Sequence, residues 1–383
     1  MGSSRKTNRW FWAVAMVAIV CITVSSANAQ VPPDVAAQLR QVGTGVCVPE
    51  TAKLYKPLQP MPPSTGVTVK RDIPYAEDMR TVMDVFAPEK GGGGRPVLVY
   101  VSGGGGDKKV NGPDGDPFYD NIMLWALKNG MVGVNMQRRG GFGGGAAWDA
   151  GAKDVGLVVD WIRKNIKQYK GNPNRIFLWA DSAGNGPVST YAGHPEIAGA
   201  DGAAVKGIVL MSAPNFNILP ETVPQGSAAA AIAATSSLST NCGRPPGEGR
   251  GGRGAARGGA GPGGAGPGAD GARQGGGRGG AGGGGGRAGG GAPAVDQATQ
   301  LARSNLPGLA KGKIAVFMGW GELDSSNILA FDVALKDALC KAGRCPTTAE
   351  FIKDHSHVSL VFSPNTADDS VTGPILKWMK SVK

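Results

Sequence analysis

Histidine is nearly missing from this chain, with three in 383 residues, and no two cysteines sit in a C-x-x-C pair. A metal site would have few ligands to draw on, so none is expected. The N-terminal apolar run covers only residues 10–24, short of the ~20 that a membrane-spanning helix needs. Between residues 243 and 291 the lack is of another kind: no Val, Ile, Leu, Met, Phe, Tyr or Trp occurs, while 27 of the 49 residues are Gly. A segment that cannot bury apolar surface cannot offset its conformational entropy, and 243–291 is expected to be disordered.

What the N-terminus does contain is ordered by function. Arg5, Lys6 and Arg9 precede the apolar run, and Ala27, Asn28 and Ala29 follow it. That is the layout of a secretory signal peptide cut near Ala29, which predicts export to a periplasm or the medium; a retained anchor is the lesser reading. Behind it stand Cys47, Cys242, Cys340 and Cys345, an even number in a compartment that permits disulfides. Four cysteines allow three connectivities; the short spacing favours Cys340 with Cys345 and leaves Cys47 with Cys242. The net charge of +11 hints at a nucleic-acid or anionic partner. Yet the leader carries three of those charges and the Gly/Arg block a net five, so little remains for a folded face. Although "GRGGRGAARGG" is like the Arg-Gly tracts of RNA-binding proteins, it has no aromatic residue on which a base could stack. No nucleic acid and no stable membrane anchor is expected as a partner.

A hydrophobic content of 41% is enough for a sizeable core. Outside the Gly/Arg block, apolar runs alternate with amphipathic stretches. "GVTVKRDIPY" and "RTVMDVFAPE" read as antiparallel strands, and "RPVLVYVSGGGG" as a buried strand entering a glycine turn. Further strands follow in "MVGVNMQR", "RIFLWA", "VKGIVLMSA", "KIAVFMGW" and "AEFIKD", with helices near 119–128, 147–169, 327–341 and 368–380 between and after them. Such alternation predicts an α/β fold, a mostly parallel sheet with helices on both faces.

Four short stretches carry chemistry. In "ADSAG" Ser182 follows a buried strand, a G-x-S-x-G pattern with Ala180 at its first position; taken alone it also reads as a helix N-cap. "VSGGGG" supplies glycine N–H groups at a strand end, suited to a developing oxyanion. "GELD" offers two acids, Glu322 and Asp324, just past a strand, and "DHSHVS" offers two bases, His355 and His357, after the next one.

Taken together and in this order, the motifs resemble the α/β-hydrolase superfamily, in particular its secreted carboxylesterases and lipases. The segment "DVGLVVDWIRKNIKQYKGNPNRIFLWADSAGNGPVS" is similar to the helix, strand and nucleophile elbow of those esterases, and "DHSHVSLVFSPNT" to their His loop. The resemblance implies Ser182 as nucleophile, His357 rather than His355 as base, and Asp324 rather than Glu322 as acid. It also implies an oxyanion hole from Gly103, Gly104 and Ala183, with no cofactor. The implied reaction is hydrolysis of a small-molecule or polymer carboxylic ester through an acyl-enzyme; a peptidase or amidase on the same fold is a further reading. Two positions depart from the family pattern: Ser102 stands where many such esterases have His, and Ala180 replaces a Gly. Both keep a catalytically silent homologue as the alternative. The expected organisation is a leader (1–29), an N-terminal extension (30–66), a hydrolase core in two parts (67–213 and 305–383), and between them a cap insertion (214–304) that contains 243–291. A short cap helix is expected near 228–234.

Overall fold

The computed structural model describes residues 30–63, 65–110, 116–140, 147–199, 202–213, 238, 240–243 and 296–383. The expected leader, the helix near 228–234 and the 243–291 block beyond Gly243 lie outside the described residues. One eight-stranded sheet organises the rest, in the order β1-β2-β4-β3-β5-β6-β7-β8. Its strands are β1 (Val67–Pro74), β2 (Val82–Pro88), β3 (Arg95–Val101), β4 (Val132–Met136), β5 (Gly171–Asp181), β6 (Gly207–Met211), β7 (Ala315–Leu323) and β8 (Thr347–Ser356). Only β2 runs against its neighbours, pairing antiparallel with β1 and β4. This is the mostly parallel α/β sheet that the strand and helix alternation predicted, in the form that the resemblance to α/β-hydrolases implied.

Two-faced burial explains why the central strands read as unbroken apolar runs. Side chains alternate across a strand, and here both faces are covered. Val97, Val99 and Val101 of β3, with Leu178 and Ala180 of β5, join one core with Val155, Val158, Val159 and Ile162 of α4 (Ala150–Asn165). Leu98, Tyr100, Phe177 and Trp179 face the opposite way, onto Ile122 and Trp125 of α3 (Asp120–Lys128) and Trp378 of the C-terminal helix Thr372–Ser381. The N-terminal extension is part of this second core. Leu39 of α1 (Pro33–Val42) and Tyr55 of α2 (Val48–Tyr55) are fully buried in it. Disulfides form between Cys47 and Cys242 and between Cys340 and Cys345.

Connection order places the site. The chain steps from β3 outward to β4 on one side and then returns to β5 on the other. Such a reversal is where open α/β sheets place ligand sites, beyond the carboxyl ends of the strands. The glycine turn leaves β3 there and Ser182 leaves β5 there.

Candidate active site

Ser182 begins a single 3-10 turn, Ser182–Gly184, before α5 (Asn185–Gly193). Its φ is +46°, in the left-handed region. A non-glycine residue held there costs about 1–2 kcal/mol, a strain typical of sites where a side chain must be presented out of a sharp turn. Two neighbours show how the turn is packed. A Cβ on Gly184 would sit 2.1 Å from Val101 O of β3, so only glycine permits this crossing. Ala180, by contrast, points its methyl into the apolar core and is fully buried, which absorbs the departure from the G-x-S-x-G pattern. Asn185, which the sequence reading missed, ties the elbow down by donating to Ser182 O at 2.8 Å and Met211 O at 2.7 Å.

The glycine turn closes through Gly106 N–H to Gly103 O at 3.0 Å. Ser102 Oγ donates to Asp107 O at 2.7 Å, so the residue that replaces the family His still braces the loop from within. Gly103 itself corrects the expected oxyanion hole. Its N–H donates to Asp181 Oδ1 at 3.0 Å and is spent on a buried carboxylate. Among the described residues no acceptor meets the N–H of Gly104 or Gly105, nor that of Ala183. The N–H groups of Gly104, Gly105 and Ala183 are thus the ones left unengaged around the turn and elbow. Asp181 also accepts from Tyr100 Oη at 2.5 Å. Burial pushes the Asp181 carboxyl above the ordinary carboxylate range, against the pull of these two donors and of the nearby His357 and Arg138 charges.

Asp324 and His357 meet at the ends of β7 and β8. His357 Nδ1 lies 2.9 Å from Asp324 Oδ1, with both side chains buried. Asp324 Oδ2 accepts from Ser212 Oγ at 2.5 Å and from Gly321 N–H at 2.8 Å. Ser212 ends β6 with φ +46° and was another residue missed by sequence reasoning. Gly321 is needed where β7 crosses β8, since a Cβ there would lie 2.3 Å from His355 O. Ladder irregularities between Gly319 and Gly321 and between Gly321 and Leu323 bend the strand ends at this point. With Nδ1–H given to Asp324, the neutral ring offers its Nε2 lone pair. That nitrogen is buried and has no hydrogen-bond partner among the described residues. Ser182 Oγ likewise has no hydrogen-bond partner among the described residues, so Ser182 and His357 stand unlinked in this structure. Their neighbourhood is shared, however, because Asp181 acts electrostatically on His357.

The competing residues are occupied elsewhere. His355 lies within β8 rather than after it, with Nδ1 2.9 Å from Ser359 Oγ and Nε2 2.9 Å from Ser370 Oγ and 3.0 Å from Asp368 Oδ2. Glu322 pairs with Arg40 of α1 at 3.0 Å and accepts from Asp354 N–H at 2.8 Å. Among the described residues no group of three or more His, Cys, Asp or Glu side chains is arranged to hold a metal ion.

Comparison with known proteins gives the same picture at lower resolution. A family model described as the carboxylesterase family matches residues 50–241. Phenmedipham hydrolase of Pseudarthrobacter oxydans is 30% identical over 188 residues, 46% of this chain and 36% of that protein. Fumonisin B1 esterase of Sphingopyxis macrogoltabida is 29% identical over 116 residues, 27% of this chain and 21% of its own length. The chain thus spans well under two thirds of the curated relatives it matches. The crystal structure of a thermostable esterase from Pseudomonas putida ECU1011 covers 92% of this chain and 98% of its own, with a TM-score of 0.55 at 14% identity. At that identity the likeness speaks for the fold alone.

Proposed function

The chain belongs to the carboxylesterase family, and from that membership we propose that it is a serine hydrolase of carboxylic esters, with Ser182 as nucleophile, His357 as base and Asp324 as acid. One observation carries the reading. A buried Asp324–His357 pair leaves Nε2 bare at the same strand ends where Ser182 is held in a strained turn.

Ser182 Oγ attacks the ester carbonyl carbon while its proton passes to His357 Nε2. The carbonyl oxygen takes the negative charge and is met by the N–H groups of Gly104, Gly105 and Ala183. Asp324 keeps Nδ1–H in place and stabilises the imidazolium. Ser212 and Gly321 both donate to its second oxygen and hold the carboxylate in place. Collapse of the intermediate breaks the bond to the alcohol oxygen, which takes the proton from His357. Water then repeats the sequence on the acyl-enzyme and releases the acid. The absent Ser182–His357 hydrogen bond does not weigh heavily, since catalytic contacts commonly tighten only with substrate bound. It is nevertheless the observation that favours the alternative, a silent binding protein on the same sheet. Small-molecule and polymer esters both fit the reading. Export belongs to the same proposal, supported by two disulfides that suit an oxidising compartment.

The test is hydrolysis of p-nitrophenyl acetate by the purified protein beside Ser182→Ala. Turnover that vanishes in the variant supports the esterase. A folded protein that neither turns over ester nor reacts with a fluorophosphonate at Ser182 is the silent homologue.

A further inference from the structure

Arg138 follows β4 by two residues and is 2% exposed, yet it forms no ion pair among the described residues. Every acid around it is engaged. Asp154 accepts from Arg139 N, Nε and Nη2, Asp107 pairs with Arg80, and Asp181 holds Tyr100 and Gly103. What Arg138 does hold is the glycine turn, at both ends. Its Nη2 donates to Ser102 O at 3.2 Å, and its backbone N–H donates to Gly106 O at 3.0 Å. Gly106 is packed flat on the side chain: at φ +80° a Cβ there would lie 2.6 Å from Arg138 Cγ and 3.0 Å from Cζ. The remaining Nε is buried without a partner. Burial draws this guanidinium below its ordinary pKa.

The charges of Asp181, Asp154 and Asp107 act on Arg138, but none forms a direct ion pair with it, and an apolar side chain of similar volume would avoid the cost of desolvating the guanidinium. Stability therefore does not account for an arginine here. The geometry points to Arg138 as a positioning residue for the oxyanion turn: by gripping Ser102 O and underlying Gly106 it fixes the Gly104 and Gly105 N–H groups, and it sets a desolvated positive charge against the turn where an oxyanion develops. This inference rests on the esterase reading and deepens it. It also adds a second hold on the turn where Ser102 stands in place of histidine: the Ser102 hydroxyl braces the loop from within, and Arg138, just past β4, holds it from outside. A charge in a water-poor site acts further than one in solvent, so Arg138 need not touch the substrate.

The test uses the purified protein with Arg138→Lys and Arg138→Met. Four quantities are read: kcat and KM for p-nitrophenyl acetate per site titrated with a fluorophosphonate, affinity for a trifluoromethyl ketone that forms a hemiketal oxyanion on serine, and Tm. Lysine keeps the charge but not the planar fork. We expect kcat to fall about tenfold in Arg138→Lys and further in Arg138→Met, with KM within about threefold and ketone affinity falling in step with kcat/KM. A folded variant whose kcat per titrated site and ketone affinity both stay within about twofold of wild type overturns the inference. A fall in Tm alone, with those two readouts unmoved, overturns it as well and leaves a structural arginine. Should Arg138→Met not fold, Arg138→Lys decides. A wild-type protein without ester turnover and without labelling at Ser182 overturns the esterase reading first and this inference with it. That result is distinct from an active enzyme indifferent to Arg138.

Discussion

Gly103→Ala puts the contact between turn and nucleophile to a direct test. A Cβ on residue 103 would lie 2.7 Å from Ser182 Cβ, 3.1 Å from Asp181 Oδ2 and 3.2 Å from Asp181 O. Carbon atoms settle at about 3.5–4.0 Å, so Ser182 must retreat by roughly 1 Å or the turn must lift by as much. Residue 103 is not left-handed, and the effect is steric rather than conformational. Either movement also loosens the Gly103 N–H bond to Asp181. Overpacking of this kind costs about 1–3 kcal/mol of stability, and a reacting group displaced by about 1 Å loses on the order of 10²-fold in rate. Measured as kcat for p-nitrophenyl acetate per phosphonate-titrated site, Gly103→Ala should therefore fall about 10²-fold with Tm lowered by a few degrees. Gly104→Ala is the control. Its Cβ would meet nothing within 4 Å, and only the left-handed φ of +52° is charged against it. That strain is about 1–2 kcal/mol and gives a smaller loss of rate. A Gly103→Ala protein with kcat within about threefold of wild type and unchanged Tm would refute the reasoning, because Ser182 Cβ could not then lie where the turn meets it.

Three further outcomes are expected. Burial lowers the His357 pKa, but the hydrogen bond and charge of Asp324, with the charge of Asp181, outweigh it and leave His357 above 6.5. Because the base must be neutral, kcat/KM should rise with pH through a midpoint above 6.5; Asp324→Asn should move that midpoint down and cut kcat by up to ~10⁴. A wild-type midpoint below that of free histidine contradicts this. Asp332 is fully buried, and burial, then the charge of Asp324, holds its carboxyl well above the ordinary range. The folded protein thus keeps a proton that the unfolded chain sheds near pH ~4, and stability falls by up to ~1.4 kcal/mol per pH unit above that until the folded pKa is passed. In urea unfolding, Asp332→Asn should gain on wild type steadily from pH 4 to pH 8, and a pH-independent difference would rule the carboxyl out as the cause. Replacing Cys47 and Cys242 by Ser opens a loop with sequence separation 195 and should cost about 5 kcal/mol; replacing Cys340 and Cys345, separated by 5, should cost about 2. Equal losses in denaturant unfolding would speak against loop closure as the source.

The alternation of strand and helix was legible because strands buried on both faces are written as apolar runs, and α4 carries its Val155, Val158, Val159, Ile162 stripe at helical spacing. Sheet order was not legible. Nothing in "MVGVNMQR" says that β4 lies outside β3, beside antiparallel β2; that follows from crossover handedness and from which edges remain free. Within the candidate site, residue types carried further than directions. Glycine at 103 was readable as a need for space, and the 2.7 Å approach to Ser182 agrees. Where its N–H points depends on a backbone angle that composition does not encode, and it points at Asp181. Residue types alone offered two histidines, and only the family resemblance chose His357. In the structure their partners differ: His355 is enclosed by Ser359, Ser370 and Asp368, whereas His357 keeps one nitrogen bare.

Ser212 is the clearest case of a residue that only the fold could reveal, since no motif surrounds it and Asp324 lies 112 positions away. Its effect follows from dividing the carboxylate. A buried carboxylate needs donors on both oxygens to remain charged. Ser212 and Gly321 supply them on Oδ2, and Oδ1 is left for His357 alone. Fixing Oδ2 from the ends of β6 and β7 keeps Oδ1 aimed whether or not the histidine is engaged. The glycine turn follows the same principle, with Asp181, Arg138 and Arg80 holding Gly103 N–H, Ser102 O, Gly106 O and Gly105 O while the N–H groups of Gly104 and Gly105 stay free. In both places the groups proposed to meet substrate are left unpaired while their immediate neighbours are tied elsewhere.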